Sequence, residues 1–410
     1  MSRGSRFHRP YGILTGMEAH SLYLHIPFCR HRCAYCDFNT YAGQEQHLKR
    51  YVDALCREMA LVSSAAPERI PAHTIFFGGG TPSLLTGAQV AQVLEQAARC
   101  FDLQTGAEIT LEANPGTVSL QSLRELRAAG VNRLSFGVQS AHPDDLRLLE
   151  RQHSYLDAVQ AVEWSRRAGF DNLSLDLIFG VPFQTLERWQ RSVELVLDLT
   201  PEHLSFYSLT VEHGTPFRRW VERGLVPLPD DDLAADMYEW AMQRLERAGM
   251  YQYEISNWAC RAVGGELLAS RHNLQYWLNR PYLGFGAGAH GYAGGARTAN
   301  VLGINAYIQQ CAAGQPRAFP LGPALANAVT VDRASEMQET MMVGLRLVER
   351  GVDDAEFTQR FGLSLREAFL EPIQRLVGQG LLEWVNGRLR LTPHGRLLGN
   401  RVFMEFVGAD

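Results

Sequence analysis

Short apolar runs alternate with amphipathic stretches along the chain from residue 21 onward. The runs SLYLHI (21–26), TIFFGG (74–79), EITLEA (108–113), NRLSFGV (132–138), NLSLDLIF (172–179) and HLSFYSL (203–209) read as strands. Between them the apolar positions follow helical spacing over 45–63, 87–100, 119–129, 143–169 (in two pieces) and 184–198, and another helix over 232–248 follows the last run. The strands are too apolar on both faces for a sheet with one wet side, and helices separate them, which is the pattern of buried parallel strands. The expected fold class is therefore α/β: six β/α units whose sheet curls into a partial (β/α)6 barrel of the TIM type.

The texture changes after about residue 250. YQYEISNWA (251–259) reads as one more strand, YLGFGAGAHGY (282–292) as a glycine-rich turn, and 331–350 and 364–379 as helices. LLEWVNGRLRL (381–391) is two short strands about an Asn-Gly turn, and a last helix is expected over 393–407. Helices with a hairpin predict a C-terminal α+β, winged-helix-like domain. The expected division is an N-terminal extension over 1–19, in which Met17 is an alternative start, a barrel over 20–250, a connecting segment over 251–328 and the C-terminal domain over 329–410.

With 39 basic and 44 acidic side chains the formal charge is −5, and no global basic field recruits nucleic acid. The winged-helix pattern does not change this: residues 361–410 hold six Arg against five acidic residues, whereas a DNA reader needs a basic stripe. An interaction or lid module is the expectation there. No run reaches the roughly 18–20 apolar residues of a membrane span, so a cytoplasmic protein is expected, at most peripheral to the inner membrane through a partner.

Three of the seven cysteines, Cys29, Cys33 and Cys36, fall within the stretch YLHIPFCRHRCAYCDF (23–38), spaced C-x3-C-x2-C; the other four are scattered. That is not a disulfide framework. The triad follows the first strand, at the rim where parallel barrels build their chemistry. Zinc would need a fourth ligand, with His31 the nearest candidate, and the spacing is not the usual zinc one. Three thiolates on an iron–sulfur cluster leave one iron open to an external chelate. Other strand ends carry polar or glycine residues: GGGT (78–81), Glu112, Gln139 and Asp176, with Arg151 beyond the first helical piece after strand four. Each alone could be a cap or turn residue, but polar groups at successive strand ends can converge on one ligand.

With C-x3-C-x2-C after the first strand of a partial barrel, the chain resembles the radical S-adenosylmethionine (SAM) superfamily. The resemblance implies a [4Fe-4S] cluster on Cys29, Cys33 and Cys36, whose open iron takes the amino and carboxylate groups of SAM. Reductive cleavage of SAM to a 5′-deoxyadenosyl radical would be the cofactor's own chemistry. The set YLHIPFC, CAYCDF, GGGTPS, GVQS and DLIFGVP further resembles the branch of oxygen-independent coproporphyrinogen III oxidases and their heme-chaperone relatives, from Tyr23 to the C-terminus. Carried over by matching position, the resemblance places Tyr23, Gly79 and Glu112 near cluster-bound SAM. It places Tyr35, Gly80, Thr81, Gln139, Arg151 and Asp176 where the oxidase holds a second SAM.

Within that branch, three features favour the chaperone. Phe38 stands where the oxidase has a further cysteine, the segment before Tyr23 is short, and RHNLQYW (271–277) matches the H-N-x-x-Y-W motif associated with heme binding. The motif makes His272, Asn273, Tyr276 and Trp277 heme-binding candidates; read without it, His272 and Asn273 could simply hydrogen-bond a loop while Tyr276 and Trp277 pack in a core. The resemblance implies heme as cargo and membrane respiratory proteins as acceptors. A homodimer bridged by cluster or heme is compatible with it, though no residue argues for one. The competing readings are the decarboxylating oxidase and a radical SAM methylase or cyclopropanase on the same scaffold.

Overall fold

A computed structural model describes residues 18–407. The expected extension and the alternative start at Met17 lie almost wholly outside the described residues. The six expected strands form as β1 (His20–Ile26), β2 (Pro71–Gly79), β3 (Asp102–Ala113), β4 (Arg133–Gln139), β5 (Leu173–Phe179) and β6 (His203–Ser208). All are parallel neighbours in that order. The helices between them start where the sequence supplies caps: Thr86 accepts from the Gln89 amide, Ser119 from Ser122 and Ser154 from Asp157, each within a capping box. The 143–169 stretch divides as expected into Pro143–Leu148 and Tyr155–Arg167.

Beyond residue 250 the sheet continues at both edges. β7 (Tyr251–Glu254) and β8 (Asn257–Ala259) form a small antiparallel pair, with β8 lying against β6. At the other edge β9 (Tyr282–Phe285) runs parallel to β1. Antiparallel β10 (His290–Ala293), β11 (Ala296–Asn300) and β12 (Leu325–Thr330) follow it. The result is one sheet of twelve strands, β12-β11-β10-β9-β1-β2-β3-β4-β5-β6-β8-β7. The stretch read as a glycine-rich turn thus holds a seventh parallel strand, and the stretch read as one strand is two. Glycine serves close approach here: a Cβ on Gly284 would fall 1.8 Å from the His290 carbonyl oxygen.

The C-terminal module has its own core of Met341, Leu345, Phe357, Phe361, Ile373, Leu376, Leu389 and Phe403. Its hairpin forms as expected over Leu382–Val385 and Arg388–Leu391, with Asn386 and Gly387 both at positive φ. The helix expected over 331–350 ends at Gly344, and the last helix is two short pieces, Pro393–Leu397 and Gly399–Met404. Two buried or half-buried ion pairs fasten the module to the barrel, Arg346–Glu254 (3.1 Å) and Arg297–Glu339 (2.5 Å), and Arg360, paired with Glu336 within the module (2.5 Å), donates to the Asn279 carbonyl (2.9 Å).

Candidate functional site at the barrel rim

β1 alternates sides, so Tyr23 and His25 share its inward face. The chain then leaves the sheet into the cysteine loop, which closes where Phe28–Cys29 pairs in parallel with Tyr41–Ala42. A turn from the Cys36 amide to the Cys33 carbonyl (3.2 Å) shapes the loop between. All three cysteines are free thiols. Each has a donor or hydroxyl at its sulfur: Thr81 Oγ1 donates to Cys29 (3.5 Å), Arg151 Nη1 to Cys33 (3.5 Å), and Thr40 Oγ1 lies 3.9 Å from Cys36. Burial pushes the Cys29 and Cys36 thiols up, and the Thr81 and Thr40 contacts oppose it by favouring the thiolate. Among the described residues no three His, Cys, Asp or Glu side chains meet at a point where one metal ion could sit. A cluster takes its thiolates on different irons and needs no single focus.

The glycine run after β2 is laced under this loop. Gly80 and Thr81 donate their amides to the Ile26 and Phe28 carbonyls (2.9 and 2.8 Å). Neither Gly79 nor Gly80 has room for a Cβ: it would lie 2.4 Å from the His25 ring in the first case and 2.6 Å from the Phe28 carbonyl oxygen in the second. Gly79 also sits at φ +111, and its amide donates to Glu112 (3.0 Å). Burial pushes the Glu112 carboxyl up to about 7, with Asp176 adding to the rise and the Gly79 amide opposing it.

Asp176 accepts from Ser135 (3.0 Å) and Ser174 (3.1 Å), and burial still raises its pKa. Arg151 reaches across the rim, donating to the Gly137 carbonyl (2.8 Å) and Cys33, with Tyr35 beside it. Two buried polar atoms here have no partner, Arg151 Nε and Gln139 Oε1, and Gln139 holds φ +68. Orphaned polar atoms beside a glycine cradle fit a polar ligand that supplies the missing bonds. A cleft of about 140 Å³ opens at the cysteine loop between His31, Cys33, Thr81 and Thr117, and neither Gln139 nor Arg151 lines it.

The structure thus gathers Tyr23, Tyr35, Gly79, Gly80, Thr81, Glu112, Gln139, Arg151 and Asp176 around the cysteine loop or just inside it. Sequence reasoning gave too little weight to two residues that brace the same place. His25 Nε2 donates to the Asn39 carbonyl (2.9 Å), so its Nδ1 accepts from the Tyr23 hydroxyl (2.9 Å). Asn39 ties the loop to the Ala287 and Leu302 carbonyls (both 3.0 Å). The Y-x-H spacing of Tyr23 and His25 was the available signal; nothing local marks Asn39. Arg133 was also passed over. It is buried in the barrel with Nε and Nη2 unpartnered, and its signal was an arginine inside an apolar strand.

The heme-binding candidates lie at the opposite end. The motif forms a short helix, Arg271–Trp277, across the barrel floor. Glu108 of β3 accepts from the amides of Arg271 and His272 (both 3.1 Å), and Gln275 donates to the Ala19 and Pro281 carbonyls (2.9 and 2.7 Å). His272 is 1% exposed and plugs the lumen. Thr74 spends its hydroxyl proton on Ser21, so His272 Nδ1 donates to Thr74 (2.8 Å) and Nε2 accepts from Tyr276 (2.8 Å). Burial lowers its pKa to about 3, and both nitrogens are engaged. Asn273 is half-buried, its amide on Ser270. Trp277 faces away from the lumen, with the Arg346 guanidinium 4.4 Å over its ring.

Residues 23–196 match the model of the radical SAM superfamily, and residues 331–398 that of the HemN C-terminal domain. The chain is similar to the heme chaperone HemW of Bacillus subtilis (strain 168), 41% identical over 95% of this chain and 99% of that one. It is also similar to the heme chaperone HemW of Mycobacterium tuberculosis (strain ATCC 25618 / H37Rv), 38% identical over 94% of each chain. Among solved structures it resembles coproporphyrinogen III oxidase (HemN) from Escherichia coli, a radical SAM enzyme, with a TM-score of 0.78, 25% identity, and 95% and 90% of the two chains covered.

Proposed function

The chain belongs to the HemW family of the radical SAM superfamily, and on that premise we propose that it is a cytosolic heme chaperone, binding heme and handing it to membrane respiratory acceptors. The observation that carries this is the similarity to named heme chaperones from end to end, barrel and C-terminal module together. No helix among the described residues is long and apolar enough to cross a membrane.

In this reading Cys29, Cys33 and Cys36 hold a [4Fe-4S] cluster and SAM lies along the glycine run. The cluster supplies an iron with an open coordination position and reducing electrons when it is bound. The chain's own residues do the rest. Gly79 and Gly80 let backbone approach the ligand, and Glu112 and Asp176 offer carboxylates. Arg151 holds the loop at Cys33, and Gln139 offers its unpaired amide oxygen. Tyr35 sits beside Arg151, suited to an aromatic contact with adenine.

The oxidase reading has the solved neighbour in its favour and Phe38, in place of the further cysteine, against it. The deciding experiment is anaerobic reconstitution with iron and sulfide, then heme titration in parallel with SAM-plus-coproporphyrinogen III turnover. The chaperone reading expects stoichiometric heme uptake and no decarboxylation; steady release of CO2 overturns it.

A further inference from the structure

The H-N-x-x-Y-W helix has two faces, and only one is closed. His272 and Tyr276 look into the lumen and are paired with each other and with Thr74. Trp277 instead lines a cavity of about 980 Å³ between the barrel floor and the C-terminal module. That volume lies at the upper end of the roughly 300–1,000 Å³ usual for small-molecule and cofactor sites. Arg346, which is not in the cavity wall, covers one face of the indole, so the cavity meets the rest of the ring.

Resting on the heme reading above, we infer that this cavity, and not His272, is the seat of the macrocycle, held between Trp277 and the C-terminal module with a propionate on Arg280. The apolar surface left open in the wall comes from Trp277, Leu278 and Pro281, with Tyr292 of the barrel and Phe357 and Phe361 of the module packed behind it. The charges narrow the ligand further. Arg360 is closed on Glu336, and Arg350 holds Glu356 through two bonds (2.8 and 2.6 Å). Arg280 meets Glu18 with Nε at 3.3 Å and is 45% exposed. Its two Nη groups remain for a carboxylate at the cavity edge. A flat apolar body with an edge carboxylate is what such a wall and cation recognise. No His, Cys or Met lines the cavity, so the site reads the porphyrin rather than its iron. It also gives the C-terminal module a task, that of the second wall.

The test is titration of the cluster-loaded full chain with ferric heme and with metal-free protoporphyrin IX, followed by absorbance and tryptophan quenching. Gln359→Trp, at an exposed position on the cavity wall, narrows the space, and Arg280→Glu reverses the edge charge. Each is expected to weaken binding of both porphyrins at least tenfold with unchanged melting temperature, and protoporphyrin is expected to bind within a few-fold of heme. Tight heme binding that survives both substitutions but is lost in His272→Gln, with circular dichroism intact, overturns this placement and leaves the chaperone reading standing. A wild-type chain that binds no heme overturns both. Protoporphyrin binding a hundredfold weaker than heme overturns the claim that the macrocycle is what is read.

Discussion

The two ends of this barrel are built from the same alternation of inward side chains and finish in opposite states. At the floor, Thr74, His272, Tyr276, Glu108 and Gln275 pair with one another or with backbone, while Arg133 near them keeps Nε and Nη2 without partners. At the rim, Gln139 Oε1 and Arg151 Nε are buried without partners, and Gln139 and Phe183 take left-handed backbone that side chains disfavour. Buried polar groups are normally satisfied. The cluster around His272 satisfies its own and is a plug, and a rim that does not is shaped for something to complete it. The floor therefore carries stability and the rim carries ligand, although sequence motifs point to both.

That contrast can be broken most forcefully at the cysteines. Cys29→Ser, Cys33→Ser or Cys36→Ser in the reconstituted protein is expected to drop iron from about four per chain to near none, measured by iron and sulfide analysis. His272→Gln should leave the iron content unchanged. A floor variant that loses the cluster would merge the two ends.

Stability should show the reverse order. His272→Ala removes a buried ring, strands the Tyr276 hydroxyl and takes away the donor that Thr74 accepts from, at a cost of about 3 kcal/mol in urea unfolding. Gln139→Gly removes a side chain whose oxygen has no partner and relieves its positive φ, so it should shift stability by less than about 1 kcal/mol while weakening SAM binding. Equal losses at both positions would erase the distinction.

The floor also sets a pH dependence. The His272 pKa, about 3 in the folded chain, lies below its ordinary 6.5, so unfolding takes up a proton between those values. The contribution is complete above about pH 6.5 and is lost as pH falls toward 3, at about 1.4 kcal/mol per pH unit. Between pH 7.5 and 5.5 the wild type should therefore lose about 1.4 kcal/mol more than His272→Gln. The smallest effect belongs to the rim. Phe183, 66% exposed at φ +66, follows Pro182 in a turn closed by the Gln184 amide on the Val181 carbonyl (2.9 Å). Phe183→Gly should raise stability by about 0.5–1 kcal/mol, read as a higher melting temperature. A fall would mean that the exposed ring packs on something.

The sequence by itself determined the six barrel strands, their parallel order, the cysteine loop and the Asn-Gly hairpin. Each of these is written in local alternation, capping or turn chemistry. It also determined which residues stand at the strand ends, because period-two alternation assigns inward positions without knowing the neighbours. Only the tertiary structure decided that Tyr282–Phe285 is a strand beside β1. Its Gly284 is demanded by the close approach of the His290 backbone, and that approach has no local trace. It alone decided which way the heme motif faces. His272, Tyr276 and Trp277 lie on one short helix, and their sorting between the lumen and the outer cavity depends on Thr74, Glu108 and the C-terminal module, far away along the chain.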